Sequence, residues 1–288
     1  MTVLPRSILT AITVCFRLNS AKQKIPHHLA RPSHMQLCMG VLMTMLACDV
    51  HAQAVIYANG TNLTASGTIT ATNQNALLAV NKGTITGNNT LNVTVNGTNT
   101  FSYGASAIGV GSLITLNGGT FVDNNPTSAD LDVRQGATIN ATGVAFRTTG
   151  YNSPGAYIAD PGSSATLTND SFNTAGQYSN GVDITQGNAT LSGSSIKTTG
   201  VGSFGVISQG SGAIATVTGG SITVLGAVSG GYGSGVAAEN GGSLTLQGGA
   251  IVNVYGASAP GALASAGTQS WPRKTEQPDR WISCSMRR

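Results

Sequence analysis

Five consecutive residues, Asp130-Leu131-Asp132-Val133-Arg134, hold the densest group of side chains with chemistry to offer. Strand side chains alternate between faces, so this run puts Leu131 and Val133 inward and Asp130, Asp132 and Arg134 outward together. Carboxylates beside a basic group are the equipment of general acid–base catalysis. The competing reading is a solvated ion pair on one exposed strand, worth under about 1 kcal/mol. A single charged rung, with nothing comparable in the neighbouring copies described below, favours the ion pair.

Other reactive side chains are distributed so that they exclude chemistry. Between Val55 and Gly267 there is no His, Cys, Met or Trp. A Ser-His-Asp or Cys-His mechanism needs an imidazole base, and a zinc site needs His or Cys in number. The segment also lacks the Gly-Gly-x-Gly-x-Asp pattern of calcium-binding β-rolls. Gly230-Gly231-Tyr232-Gly233 is followed by no Gly-Lys-Ser/Thr and so is no phosphate loop. No catalytic residue, metal ligand or cofactor is therefore assigned. Asp183 and Lys197 fall between apolar neighbours and read as solvated. The seven tyrosines occupy different positions in the copies, which points to scattered packing rather than a sugar-binding ladder. No binding residue is assigned either.

The elements that must position these groups come from repetition. SLITLNGGTF (112–121), ATLTNDSF (165–172), ATLSGSSI (189–196), ATVTGGSI (215–222) and SLTLQGGAI (243–251) each place a second apolar residue five positions after the first. The pairs are Leu116 and Phe121, Leu167 and Phe172, Leu191 and Ile196, Val217 and Ile222, and Leu246 and Ile251. A third element follows, with glycines at Gly155, after a less regular copy at Ile139, and at Gly181, Gly205, Gly235 and Gly261. Periods of 20 to 50 residues mean solenoids or arrays. Thr-Leu-Thr alternation is the period of a strand, and Gly-Gly, Asn-Gly and Ser-Gly pairs supply the positive φ of tight turns. Three short strands per copy describe one coil of a right-handed parallel β-helix, all-β, with about eight irregular coils. On such a scaffold, polysaccharide lyases and hydrolases carry outward carboxylates and basic groups on one sheet, which is the enzyme alternative for Asp130, Asp132 and Arg134.

Charge and composition divide the chain in three. Residues 1–54 carry +4, residues 55–267 carry −3 and residues 268–288 carry +3. The middle has no basic patch with interleaved aromatics, so nucleic acid is excluded as a partner. In the first segment Lys22, Lys24 and Arg31 precede an apolar stretch from Met35 to Ala47, too short to span a bilayer. Ala52-Gln53-Ala54 follows, the small-x-small pattern of signal-peptide cleavage after Ala54. Met45-Leu46-Ala47-Cys48 is a weaker match to lipid attachment, and translation starts at Met1 or near Met35. The last segment, TQSWPRKTEQPDRWISCSMRR, has no Gly, both Trp and seven charged residues. It reads as a non-repeat, disordered tail, arising from a different reading frame or as a natural extension.

The export leader ending Ala52-Gln53-Ala54, copies such as GGSLTLQGGAI (241–251) and NGVDITQGNATLSGSSI (180–196), and a repeat without Cys together resemble the passenger domain of bacterial autotransporters, the pertactin-like group. The resemblance covers residues 55–267. It implies export to the periplasm, passage through an outer-membrane barrel and folding outside as a β-helix. No barrel of alternating, roughly ten-residue strands follows the repeats. As written, the chain is expected in the periplasm, and its intact parent at the cell surface or secreted. The implied function is a non-enzymatic, adhesin-like rod that meets a ligand on host or neighbouring cells. A secreted β-helix polysaccharide lyase or hydrolase and a fragment without function are the alternatives.

Overall fold

The computed structural model describes residues 54–98, 100–227, 233–255, 259–265, 268–270 and 286–287. Most of the leader, including Ala52 and Cys48, lies outside them, as do Gly230–Tyr232 and residues 271–285 of the last segment.

The described chain is all β, a parallel solenoid of three sheets with nine strands each. Every third strand joins the same sheet, so each coil adds one strand to each. We call them sheet A (from Ala54–Asn59 to Ala262–Ser265), sheet B (from Asn62–Ala65 to Thr268–Ser270) and sheet C (from Thr68–Thr72 to Met286–Arg287). Nine strands make eight steps, a stack of about 38 Å at about 4.8 Å per step.

Stacking aligns like with like. One inward column of sheet B runs Leu116, Ala141, Leu167, Leu191, Val217, Leu246. The facing column of sheet C runs Phe121, Phe146, Phe172, Ile196, Ile222, Val252. All twelve are buried. Phe146 stacks on Phe172 with centroids 4.8 Å apart, and Phe121 tilts against Phe146 at 5.5 Å. Strands of sheets B and C alternate buried and open side chains, as the Thr-Leu-Thr pattern predicts. The last copy departs from the expected spacing. Gln247-Gly248-Gly249-Ala250 is one residue longer than its predecessor, so Val252 takes the inward place and Ile251 is 44% exposed.

The recurring glycine sits where a side chain has no room. It precedes each sheet A strand and faces sheet C. A Cβ on Gly181 would stand 2.3 Å from Ile196 Cγ2, and one on Gly205 would stand 2.2 Å from Ile222 Cγ2. Just before it runs an inward serine ladder. Ser128 N donates to Ser153 Oγ at 3.3 Å, Ser153 N to Ser179 Oγ at 2.9 Å, and Ser179 N to Ser203 Oγ at 2.9 Å. These bonds give the buried turn a polar partner on the next coil, as buried backbone donors require.

Beyond Gly267 the ladder continues for short pieces. Thr268–Ser270 pairs with Ser243–Thr245 of sheet B, and Met286–Arg287 pairs with Val254–Tyr255 of sheet C.

Candidate functional site

Sheet A differs from the other two because both of its faces are largely buried. Leu131, Asp132 and Val133 are all closed to solvent, as are Leu77, Leu78 and Ala79 two coils earlier. Two columns form its outer face. The first runs Ser106, Asp132, Tyr157, Asp183, Ile207, Ala237, Leu263. The second includes Arg134, Thr185, Gln209, Glu239 and Ser265.

The charged rung divides between the two faces. Asp132 and Arg134 lie on the outer face, but not as a solvated pair. Arg134 Nε donates to Asp132 Oδ1 at 2.6 Å, and Ser106 Oγ donates to Asp132 Oδ2 at 2.8 Å. Arg134 Nη2 reaches Tyr103 Oη at 2.5 Å, and its guanidinium lies 5.4 Å from the Tyr103 ring centroid and 5.2 Å from that of Tyr157. Desolvation works against the Arg134 charge. The Asp132 carboxylate, together with Tyr103 and Tyr157, outweighs it, so the guanidinium is held above its ordinary value. Burial, with the Asp132 charge beside it, likewise pushes the Tyr103 phenol up.

Asp130 was expected outward and is instead enclosed in the core. It occupies the glycine position of its coil, one residue before Leu131, so its side chain turns toward sheet C. Both of its carboxyl oxygens lack a hydrogen-bond partner. Burial, and next the neighbouring Asp123, push it well above the usual carboxylate range. Asp123 is raised to about 7 by burial, although Ser128 Oγ and Asn125 N both donate to it. The strict alternation that predicted an outward Asp130 begins only at Leu131, where the regular strand begins.

Asp183 is likewise not simply solvated. It is half-buried and accepts from Asn180 Nδ2 at 2.9 Å, Gln209 Nε2 at 3.0 Å and Thr185 Oγ1 at 3.5 Å. Burial raises it and these three donors oppose the rise. Lys197 is exposed, as read from the sequence.

These residues line a groove along the outer face of sheet A. One part, about 330 Å³, is bounded by Phe101, Tyr103, Arg134, Tyr157 and Asp183. The adjoining part, about 550 Å³, is bounded by Tyr178, Phe204, Ile207, Glu239 and Leu263. Asn152, Asp183 and Gln209 border both. Phe204, Ile207, Ala237 and Leu263 form a separate apolar cluster there. Tyr103 and Tyr157 therefore converge on one guanidinium, and Tyr151 meets Tyr178 edge to face at 5.9 Å. Sequence reading treated the tyrosines as scattered and did not single out Phe101, Asn180, Phe204 or Gln209. Among the described residues no three His, Cys, Asp or Glu side chains gather as a metal site.

Compared with known proteins, the chain matches no family model, no curated protein sequence and no solved structure.

Proposed function

We propose that residues 55–267 are a surface-displayed, adhesin-like passenger domain of the autotransporter type, exported by the leader ending at Ala54, and that the domain acts by binding and not by turnover. One observation carries the reading. A parallel β-solenoid places a continuous groove with aromatic, amide and carboxylate lining along one sheet. Polar groups convergent in a cleft are the usual marks of a binding site. Of the charged rung that raised the enzyme alternative, Asp132 and Arg134 are engaged in their own ion pair and hydrogen bonds and Asp130 is enclosed in the core, which suits a fixed wall more than a reacting group. The resemblance of the repeats and leader to pertactin-like passengers supplies the surface location.

The test is display. Residues 55–267 fused to an intact outer-membrane barrel are expected to make a non-adherent bacterium attach to host or neighbouring cells. Display without attachment to any cell type rejects the adhesin reading.

A further inference from the structure

We infer that the groove over sheet A binds a linear, uncharged polysaccharide laid along the stack of coils. The inference rests on the binding reading above and names its ligand class.

Length comes first. The groove runs from Arg134 to Ser265, across six successive strands of sheet A. At about 4.8 Å per strand that is about 24 Å, room for a chain of several sugars rather than one small molecule. Five of the six strands beneath it are paired on both sides, so along them the floor offers no free edge to which a peptide would add as a strand.

The chemistry fits hydroxyl groups. Asp183, Asn180 and Gln209 form a hydrogen-bonded set in mid-groove, with Asn152 nearby. Carboxylates and amides can accept from and donate to neighbouring hydroxyls of one ring. Charge argues against an anionic polymer. Among the described lining residues the cation is Arg134, held by Asp132, which leaves Asp183 and Glu239 to repel uronate, sulfate or phosphate. Asn180, Gln209 and Thr185 already donate to Asp183, which weakens the case for a cationic polymer.

The rim supplies an independent observation. Phe101 and Tyr178 are exposed and border the two parts of the groove. Both have left-handed backbone, φ +63° and +56°, a conformation rare for bulky residues. The coils between them carry Thr127 and Asn152 in this left-handed turn, φ +51° and +50°, and the coil after Tyr178 uses Gly202, φ +73°, which adopts it without cost. Retaining aromatics where glycine would be easier points to use of the rings, since strained residues gather at binding sites. Flat apolar faces at the edge of a polar groove are suited to pack against sugar rings.

The experiment measures binding of the whole exported protein to neutral glucan, mannan, galactan and xylan, and to polygalacturonate, heparin and poly-lysine. At least one neutral polymer should bind, with little dependence on salt. Phe101→Gly, Tyr178→Gly and Gln209→Ala should each weaken that binding at least ten-fold, and Lys197→Ala on the outer face of sheet C should not. The two glycine variants relieve the backbone, so loss of binding with an undiminished melting midpoint separates ligand contact from folding. Failure of every neutral polymer, binding confined to the charged ones, or full affinity in all three groove variants overturns the inference. Cell attachment that survives the groove variants would also overturn it while leaving the adhesin reading intact. Binding of a neutral polymer without cell attachment would do the reverse.

Discussion

Asp130 stands in the coil position that Gly155 holds one turn on, where Leu131 N donates to Gly155 O at 3.1 Å. At Gly155 a Cβ would lie 2.7 Å from the Phe172 ring, so this position normally carries no side chain. Asp130 fills it with an unpartnered carboxyl beside Asp123. Ionising a buried carboxyl without partners is costly, which pushes Asp130 well above the usual carboxylate range.

Stability should therefore fall as pH rises. Asp123 is raised to about 7, Asp170 to about 6, and Asp130 well above the carboxylate range, each chiefly by burial. All three hold a proton more tightly folded than unfolded, where an aspartate titrates near 3.9. Their contribution is complete below about pH 4 and is lost as pH climbs through 6 and 7. Thermal unfolding should show a midpoint that declines from pH 4 to 8, about 2–4 °C for each kcal/mol lost. Asp130→Gly restores the residue type of the neighbouring coils, so it should raise the midpoint at pH 8 and make the decline with pH shallower. A midpoint that rises with pH would contradict this account.

The core register makes a sharper prediction at two adjacent residues. Val252 is 2% exposed and faces the core, while Ile251 is 44% exposed. Val252→Asp should cost several kcal/mol, because it buries a charge without a partner. Ile251→Asp should change stability by no more than about 0.5 kcal/mol. Denaturant midpoints of the two variants give the comparison, and a larger loss in Ile251→Asp would show that the strand is turned the other way.

Much of this was legible in the repeats, and the exceptions have physical causes. Alternation in Ala165-Thr166-Leu167-Thr168 and the recurring glycines specified strand, coil and inward face, since both follow from local sterics. Ile251 misled because one extra residue in a turn reverses every later side chain of a strand. The groove was also present in the glycine register. Two residues after each glycine, or after Asp130, come Asp132, Tyr157, Asp183, Ile207, Ala237 and Leu263, the outer column of sheet A. Taken one by one these residues look unrelated, and only the stack brings them together. Burial of Asp132 was not legible, because Tyr103, which helps enclose the ion pair, comes from the turn before the preceding strand.

Processing should free the first coil. Cleavage after Ala54 would give a mature protein beginning Val55-Ile56-Tyr57. It would cut inside the strand Ala54–Asn59, whose Ile56 to Asn59 pair with Leu77 to Val80 and need no residue before Val55. Amino-terminal sequencing of exported protein is expected to read that start, and a lipid-modified Cys48 would rule it out. Ala54→Leu should block processing, as the site takes only small residues.

The last prediction concerns turnover. Asp132 and Asp183 occupy the same outer column two strands apart, about 10 Å at about 4.8 Å per step. Inverting glycosidases hold their two carboxyls about 6.5–9.5 Å apart, so the pair invites comparison. The state of each group argues against that role. Both oxygens of Asp132 are engaged, one by Arg134 and one by Ser106, and the residue is closed to solvent, so no water can sit against it to be activated. Its partner Arg134 is itself held between Tyr103 and Tyr157, which leaves the pair little freedom to open. Burial raises the pKa of Asp183, the direction an acid needs, yet an acid without a base completes no hydrolysis. The protein should therefore release no reducing ends from glucan, galactan or pectin, with or without calcium. In Asp132→Asn the ion pair is lost and stability should drop by about 3–5 kcal/mol, the cost of leaving Arg134 with no counter-charge. Reducing ends that appear with the native protein and vanish in Asp132→Asn or Asp183→Asn would make the groove an active site.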